Sequence, residues 1–247
     1  MKLCIAQTLS KKGDIEANLE NHLKLIDLAI SCESDLVIFP ELSLTNYEPE
    51  LAKELATHID DPRLDVLQNI SDINCLTIGV GIPIVNDAGI SISMIVFQPN
   101  KPRGIYSKKY LHSDEEEFFI SGNSSLEILE SEHNVGLAIC YELSVPVHAD
   151  AAYQKGADIY FASVAKTPNG VEDSMTKLSG IAKNFSMVVL MSNCVGECEG
   201  TEAGGRSSIF SRAGELVAQL DDKNEGILVY DTVAGSVVKK QVARAQR

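Results

Sequence analysis

Basic residues are the scarce class in this sequence: 21 lysines and arginines stand against 35 aspartates and glutamates over 247 residues, a formal charge of −14. A surface of that sign repels phosphate over most of its area, which excludes nucleic acid and an anionic membrane as partners and favours solubility. Hydrophobic runs of bilayer-spanning length are missing too. The amino terminus lacks the basic, apolar, then small-residue order of a secretory leader, so a cytoplasmic protein is expected. A disulfide framework is also absent: Cys4, Cys32, Cys75, Cys140, Cys194 and Cys198 are widely spread and reach into apolar segments, which reads as reduced thiols. Cys194 and Cys198 bracket Gly196, but no second Cys or His pair of zinc spacing follows, so no metal is expected and both read as packing residues. No repeat, low-complexity tract or linker interrupts the chain. With 45% hydrophobic residues it can bury a large core without staples, and residues 1–247 are expected to form one domain.

What is present is an alternation of strand-like and helix-like segments. Residues 2–7, 35–39, 76–83, 90–97 and 104–107 read as strands, with 76–83 and 90–97 joined as a hairpin through Asn86-Asp87-Ala88-Gly89. Apolar positions at Ile15, Leu19, Leu23 and Ile26 give a helix over 14–30, and 50–57 and 62–71 read as a broken helical region around Asp60-Asp61-Pro62. Later come strands at 126–129, 135–139, 158–163, 187–192, 207–210, 215–219 and 226–230, with helices at 149–155 and 175–185. Helices mixed with hairpins imply mixed sheets covered by helices on their outer faces.

Three strand ends carry reactive groups. Val135-Gly136-Leu137-Ala138-Ile139 delivers Cys140 at its carboxyl end, where α/β enzymes keep their chemistry. Phe39-Pro40 delivers Glu41, and Tyr106-Ser107 delivers Lys108 and Lys109. A thiol, a carboxylate and an ammonium at one edge can serve as nucleophile, proton acceptor and electrostatic stabiliser. Each has an ordinary reading in isolation: a helix-start carboxylate, solvated loop lysines, a packed thiol. Their co-occurrence favours catalysis. His112 and His133 are not placed for proton transfer to Cys140 by any sequence argument, which sets aside a Cys/His pair.

These segments resemble the nitrilase-like carbon–nitrogen hydrolases over essentially the whole chain. Phe39-Pro40-Glu41-Leu42-Ser43-Leu44-Thr45-Asn46-Tyr47 is similar to the family's general-base segment, Tyr106-Ser107-Lys108-Lys109-Tyr110-Leu111-His112 to its lysine segment with Lys109 in the catalytic register, and Gly136-Leu137-Ala138-Ile139-Cys140-Tyr141-Glu142 to its nucleophile segment. Glu117, before Phe118-Phe119-Ile120-Ser121-Gly122, resembles the family's second pocket glutamate, and Gly204-Gly205-Arg206-Ser207-Ser208 its late glycine-serine segment. The resemblance implies a four-layer α-β-β-α sandwich with two mixed sheets, no cofactor, and a homodimer packed through helices beside the site. It further implies hydrolysis of a small amide through a thioester on Cys140, with Glu41 as base and with Lys109 and the Tyr141 amide facing the oxyanion. Tyr47, Tyr141, Glu142 and Lys166 are the expected substrate-binding residues.

Departures bear on the substrate. Glu142 stands where many members have aspartate, Val147-His148 where a second glutamate is common, and Asn46 where glycine is common, although Asn tolerates left-handed backbone angles. Transfer to an acceptor other than water, nitrile hydrolysis and a non-catalytic binding role are the alternatives, the last opposed by the intact Glu, Lys and Cys set. Lys166 leaves the 158–163 strand beside the nucleophile segment, and an ammonium there favours a carboxylate-bearing amide such as a dicarboxylic acid monoamide; a solvated loop lysine is the competing reading.

Overall fold

The computed structural model describes residues 1–122, 128, 129 and 132–242. Period-two alternation along the first strand decides the layering. In β1 (Lys2–Gln7), Leu3 and Ile5 face one side and Cys4 and Ala6 the other, and all four are buried. A strand buried on both faces needs cover on both. Among the described residues, β1 lies inside a seven-stranded mixed sheet with β2 (Leu36–Ile38), β3 (Thr77–Asn86), β4 (Gly89–Phe97), β5 (Gly104–Ser107), β14 (Glu225–Asp231) and β15 (Val237–Val242), in the order β15-β14-β1-β2-β3-β4-β5. A six-stranded sheet holds β6 (Ile128–Leu129), β7 (Val135–Ile139), β8 (Ile159–Ser163), β9 (Val188–Ser192), β12 (Ser208–Phe210) and β13 (Leu216–Gln219), in the order β13-β12-β9-β8-β7-β6. β10 (Val195–Cys198) and β11 (Thr201–Gly204) form a separate antiparallel hairpin.

The two sheets pack through Leu3, Ile5 and Ile38 on one side and Leu137, Ile139 and Phe161 on the other. Truncating one of these, as in Leu137→Ala, costs about 2–5 kcal/mol through lost burial and a cavity. Outside the first sheet lie α1 (Ile15–Ser31) and α3 (Asp65–Asn74), with Leu25, Ile26, Ala29 and Leu67 filling that layer, while the short α2 (Ala52–Leu55) packs Ala52 with the inter-sheet core. Outside the second lie α4 (Pro146–Gln154) and α5 (Pro168–Phe185), packed through Ala149, Ala152, Val171, Leu178 and Ala182. The architecture is the four-layer α-β-β-α sandwich with two mixed sheets. Among the described residues no helix is long and apolar enough to cross a membrane.

Differences from the sequence expectation have local causes. α5 begins seven residues earlier than expected, because Thr167 caps it by accepting the Gly170 N–H and Pro168 occupies its first turn, where a missing N–H costs nothing. Pro146 likewise starts α4 before residue 149. The sheet does not end at residue 230: β15 pairs with β14 as an edge strand whose lysines disguise it as loop. Residues 126 and 127 of the expected 126–129 strand lie outside the described residues.

Candidate active site

Parallel pairing of β1, β2 and β3 in one sheet and of β7, β8 and β9 in the other, with the Ser163 hydroxyl donating to Phe39 O at 2.8 Å, brings the exits of β2, β7 and β8 to one edge. Glu41 follows β2 on a tight turn where Leu42 has φ +48°. That turn rests on Gly81 of β3, where a Cβ would meet Leu42 N at 2.4 Å and Pro40 O at 2.6 Å. Cys140 follows β7 at φ +45°, a left-handed conformation that costs a non-glycine residue roughly 1–2 kcal/mol. The turn is held because the Ile139 N–H donates to Glu142 Oε2 at 2.7 Å.

The lysine that joins them is Lys108, not Lys109. Ser93 of β4 pairs with Ser107 of β5, and the Lys108 N–H then donates to Ile92 O at 2.8 Å, continuing the ladder. Position 108 therefore shares the inter-sheet face with Tyr106 and Ile92, and position 109 takes the opposite one. Lys108 is fully buried, and its Nζ donates to Glu41 Oε1 at 2.7 Å and to Glu115 Oε1 at 2.6 Å. Lys109 is exposed, with its ammonium 5.7 Å from the Tyr110 ring centre. The second glutamate is Glu115 rather than Glu117. Glu115 and Phe119, four residues apart on one turn, both face inward, while Glu117 between them is exposed. Glu115 also accepts the Tyr47 hydroxyl at 2.8 Å and the His112 N–H at 2.7 Å.

Charge balance follows from these contacts. Burial works against the Lys108 ammonium, but Glu41, the Cys140 thiol and Glu115 outweigh it and hold the lysine protonated well above its ordinary range. Burial raises the Glu41 pKa, Lys108 opposes this, and Glu115 adds to the rise. The Glu41 Oε2 is buried with no hydrogen bond of ordinary length, and the Cys140 thiol is near enough to pull this carboxylate's pKa down. The thiol itself is pushed up to about 11, first by burial and then by Glu41, against the pull of Lys166 and Lys108. The site thus brings together a thiol, a carboxyl group with one open oxygen and a fixed ammonium: parts for proton removal, nucleophilic attack and anion stabilisation.

The expected substrate-binding residues divide. Tyr47 supports Glu115, and Tyr141 is partly exposed with its ring edge-on to His112 at 5.2 Å. Glu142 is not at a pocket wall: it is fully buried under the Cys140 turn, where it accepts Ile139 N–H and Tyr106 OH on Oε2 and Lys109 N–H on Oε1. Lys166 is half-buried after β8. Asn193, which sequence reasoning passed over, is fully buried and links Lys166 to Gly205 through its amide; a polar residue directly after an apolar strand was its only signal. His148 sits between the Tyr106 and Tyr160 hydroxyls, at 2.8 and 2.7 Å, and takes no part beside the thiol. Among the described residues no His, Cys, Asp and Glu cluster could hold a metal ion.

The chain is 27% identical over 252 residues to a glutamine-dependent NAD(+) synthetase of Aquifex aeolicus, covering 98% of this chain and 44% of that protein, so it spans less than half the length of that relative. It is 24% identical to the N-carbamoylputrescine amidase of Solanum tuberosum, covering 87% of this chain and 81% of the relative. Among solved structures, an amidase mutant from Nesterenkonia sp. AN1, with acrylamide added at its active-site cysteine, shares the fold at a TM-score of 0.85 and 20% identity, covering 95% and 94% of the two chains. The model of the carbon-nitrogen hydrolase family matches residues 2–239, and with nearly the whole chain inside that match the protein belongs to the carbon-nitrogen hydrolase family.

Proposed function

We propose that the protein hydrolyses the carbon–nitrogen bond of a small amide through a thioester on Cys140. One observation carries this reading: a fully buried ammonium bridges two buried carboxylates, Glu41 at 2.7 Å and Glu115 at 2.6 Å, and leaves Glu41 Oε2 open beside a thiol. Burying charges costs several kcal/mol per ion and is a poor device for stability alone, so such a cluster beside a thiol points to chemistry. Glu41 takes the Cys140 proton as sulfur attacks the amide carbon. The oxyanion faces Lys108 Nζ and the Tyr141 N–H. Glu41 then protonates the departing nitrogen, the C–N bond breaks, and a thioester remains. Water, deprotonated by Glu41, attacks the thioester; the acid leaves and the thiol regains its proton. Glu115, braced by Tyr47, keeps Lys108 aimed.

The N-carbamoylputrescine amidase and Nesterenkonia amidase relatives support an amide substrate in preference to a nitrile. The test is ammonia release from small neutral and charged amides by the wild type and Cys140→Ala, with rapid-quench mass spectrometry of Cys140. Release by the wild type alone, with an acyl mass on the Cys140 peptide, supports the reading; no release and no acyl adduct overturns it. A homodimer is part of the same proposal, its contacts made by α4 and α5, where Val147 and Tyr153 are exposed. Sedimentation should give at least twice 26.8 kDa, and a clean monomer at micromolar concentration contradicts it.

A further inference from the structure

Lys166 leaves β8 at the edge occupied by Cys140, since Ser163 pairs with Ile139, the residue before the thiol. Its backbone is fixed on both sides. The N–H donates to Asn193 Oδ1 at 2.9 Å, and the carbonyl accepts from Gly204 N at 2.7 Å and Asn193 Nδ2 at 3.2 Å. Ala165, just before it, packs with Tyr47 against Cys194, Cys198 and Ala203. The root of the side chain is therefore held as firmly as a strand residue.

The ammonium at the other end has no hydrogen bond or ion pair among the described residues. This stands out in a chain with 35 acids against 21 bases. Lys12, Arg63, Arg103, Lys108 and Arg206 all have a carboxylate partner. A half-buried lysine usually finds a carboxylate or reaches fully into water. Lys166 has no carboxylate partner among the described residues, and its charge acts on the Cys140 thiol. Lys108 has both flanking carboxylates already, and Lys109 faces away from the site. Lys166 is thus the cation at this edge with pairing capacity to spare.

We propose that Lys166 forms an anion subsite beside Cys140, and that the substrate is an amide bearing a carboxylate a few bonds from the scissile carbonyl. This rests on the amide-hydrolase reading. A charge-assisted pair in a partly dry pocket is about twice as strong as a neutral hydrogen bond, and a neutral amide of the same shape gains none of it. The pinned backbone keeps the ordering cost of binding small.

The test compares succinamate with levulinamide, its neutral isostere, as substrates. The ratio of their kcat/KM values should exceed one in the wild type and fall by about tenfold in Lys166→Met, with Lys166→Arg keeping most of it. An unchanged ratio in Lys166→Met overturns the proposal. A second arm reads the subsite without turnover: alkylation of Cys140 by iodoacetate relative to iodoacetamide. That ratio should fall severalfold in Lys166→Met. Equal slowing by both reagents marks a lysine that only lowers the thiol pKa and overturns the proposal. If neither amide is cleaved, the hydrolase reading fails, and the alkylation ratio still decides the subsite.

Discussion

Two buried glutamates flank the Cys140 turn, and they are opposites. Glu142 is saturated: both oxygens accept donors, from Tyr106 OH, Ile139 N–H and Lys109 N–H at 2.6–2.7 Å, and no lysine or arginine pairs with it among the described residues. Glu41 has one oxygen on Lys108 and the other with nothing at ordinary bonding distance. Equal burial therefore conceals different work. A carboxylate with every lone pair engaged fastens chain segments together, whereas one left open next to a thiol can accept a proton. Each has a histidine beneath it: His22 bonds Ser43 on the Glu41 turn, and His148 bonds Tyr106 beside Glu142.

The largest effects should come from the open side of this comparison. Cys140→Ala and Glu41→Gln should each lower kcat/KM for ammonia release by roughly 10³-fold or more, because each removes an indispensable member of a unit. The Glu41→Gln melting curve should stay within about 1 kcal/mol of the wild type, since the amide oxygen can still accept from Lys108 and no donor opposes its nitrogen. A fully active Glu41→Gln would break the contrast.

Acid should act on both sides through the histidines. Burial lowers both imidazole pKa values to about 4, with Lys109 adding to the effect at His148. The unfolded chain then binds more protons than the folded one between about pH 6.5 and pH 4, so stability is complete above 6.5 and lost as pH falls through that window, by roughly 3 kcal/mol per histidine. Denaturant midpoints across these pH values check the sign and size. A flat profile for the wild type would show that the imidazoles are not held neutral.

A smaller loss is expected from Glu142→Gln. Its amide can offer only one acceptor oxygen, so an NH₂ group must face a backbone N–H or the Tyr106 hydroxyl, at a cost of about 2 kcal/mol. Chemical denaturation should show this, with Cys140 alkylation shifted less than in Glu41→Gln. The reverse order would exchange the assigned roles.

Much of this arrangement was legible in the residues. Apolar runs ending at Phe39 and Ile139 placed Glu41 and Cys140 at strand ends, the mixture of helices and hairpins implied mixed sheets covered by helices, and the family resemblance implied that there are two of them. The choice between Lys108 and Lys109 was not legible in the same way. A loop of residues 98–103 separates β4 from β5, and a connection of that length fixes no register; only the Ser93 and Ser107 pairing reveals which lysine faces inward. A two-residue ambiguity in the run Glu115-Glu116-Glu117 moved the second glutamate from 115 to 117, although the inward Phe119 four residues beyond Glu115 carried the correct phase. Glu142 misled because its side chain folds back on its own turn, a contact that sequence spacing does not announce. Lys166 and Asn193 meet across two strand exits, and that proximity exists only once β8 and β9 are paired.

The central claim is that Lys108, and not its neighbour, supplies the buried charge between Glu41 and Glu115. Ammonia release by Lys108→Met and Lys109→Met, measured side by side on one amide, tests it most directly. Lys108→Met should lose about 10²–10³-fold in kcat, the cost of removing an anion-stabilising donor, and Lys109→Met should remain within about threefold of the wild type. Loss of turnover in Lys109→Met with Lys108→Met still active would contradict the account.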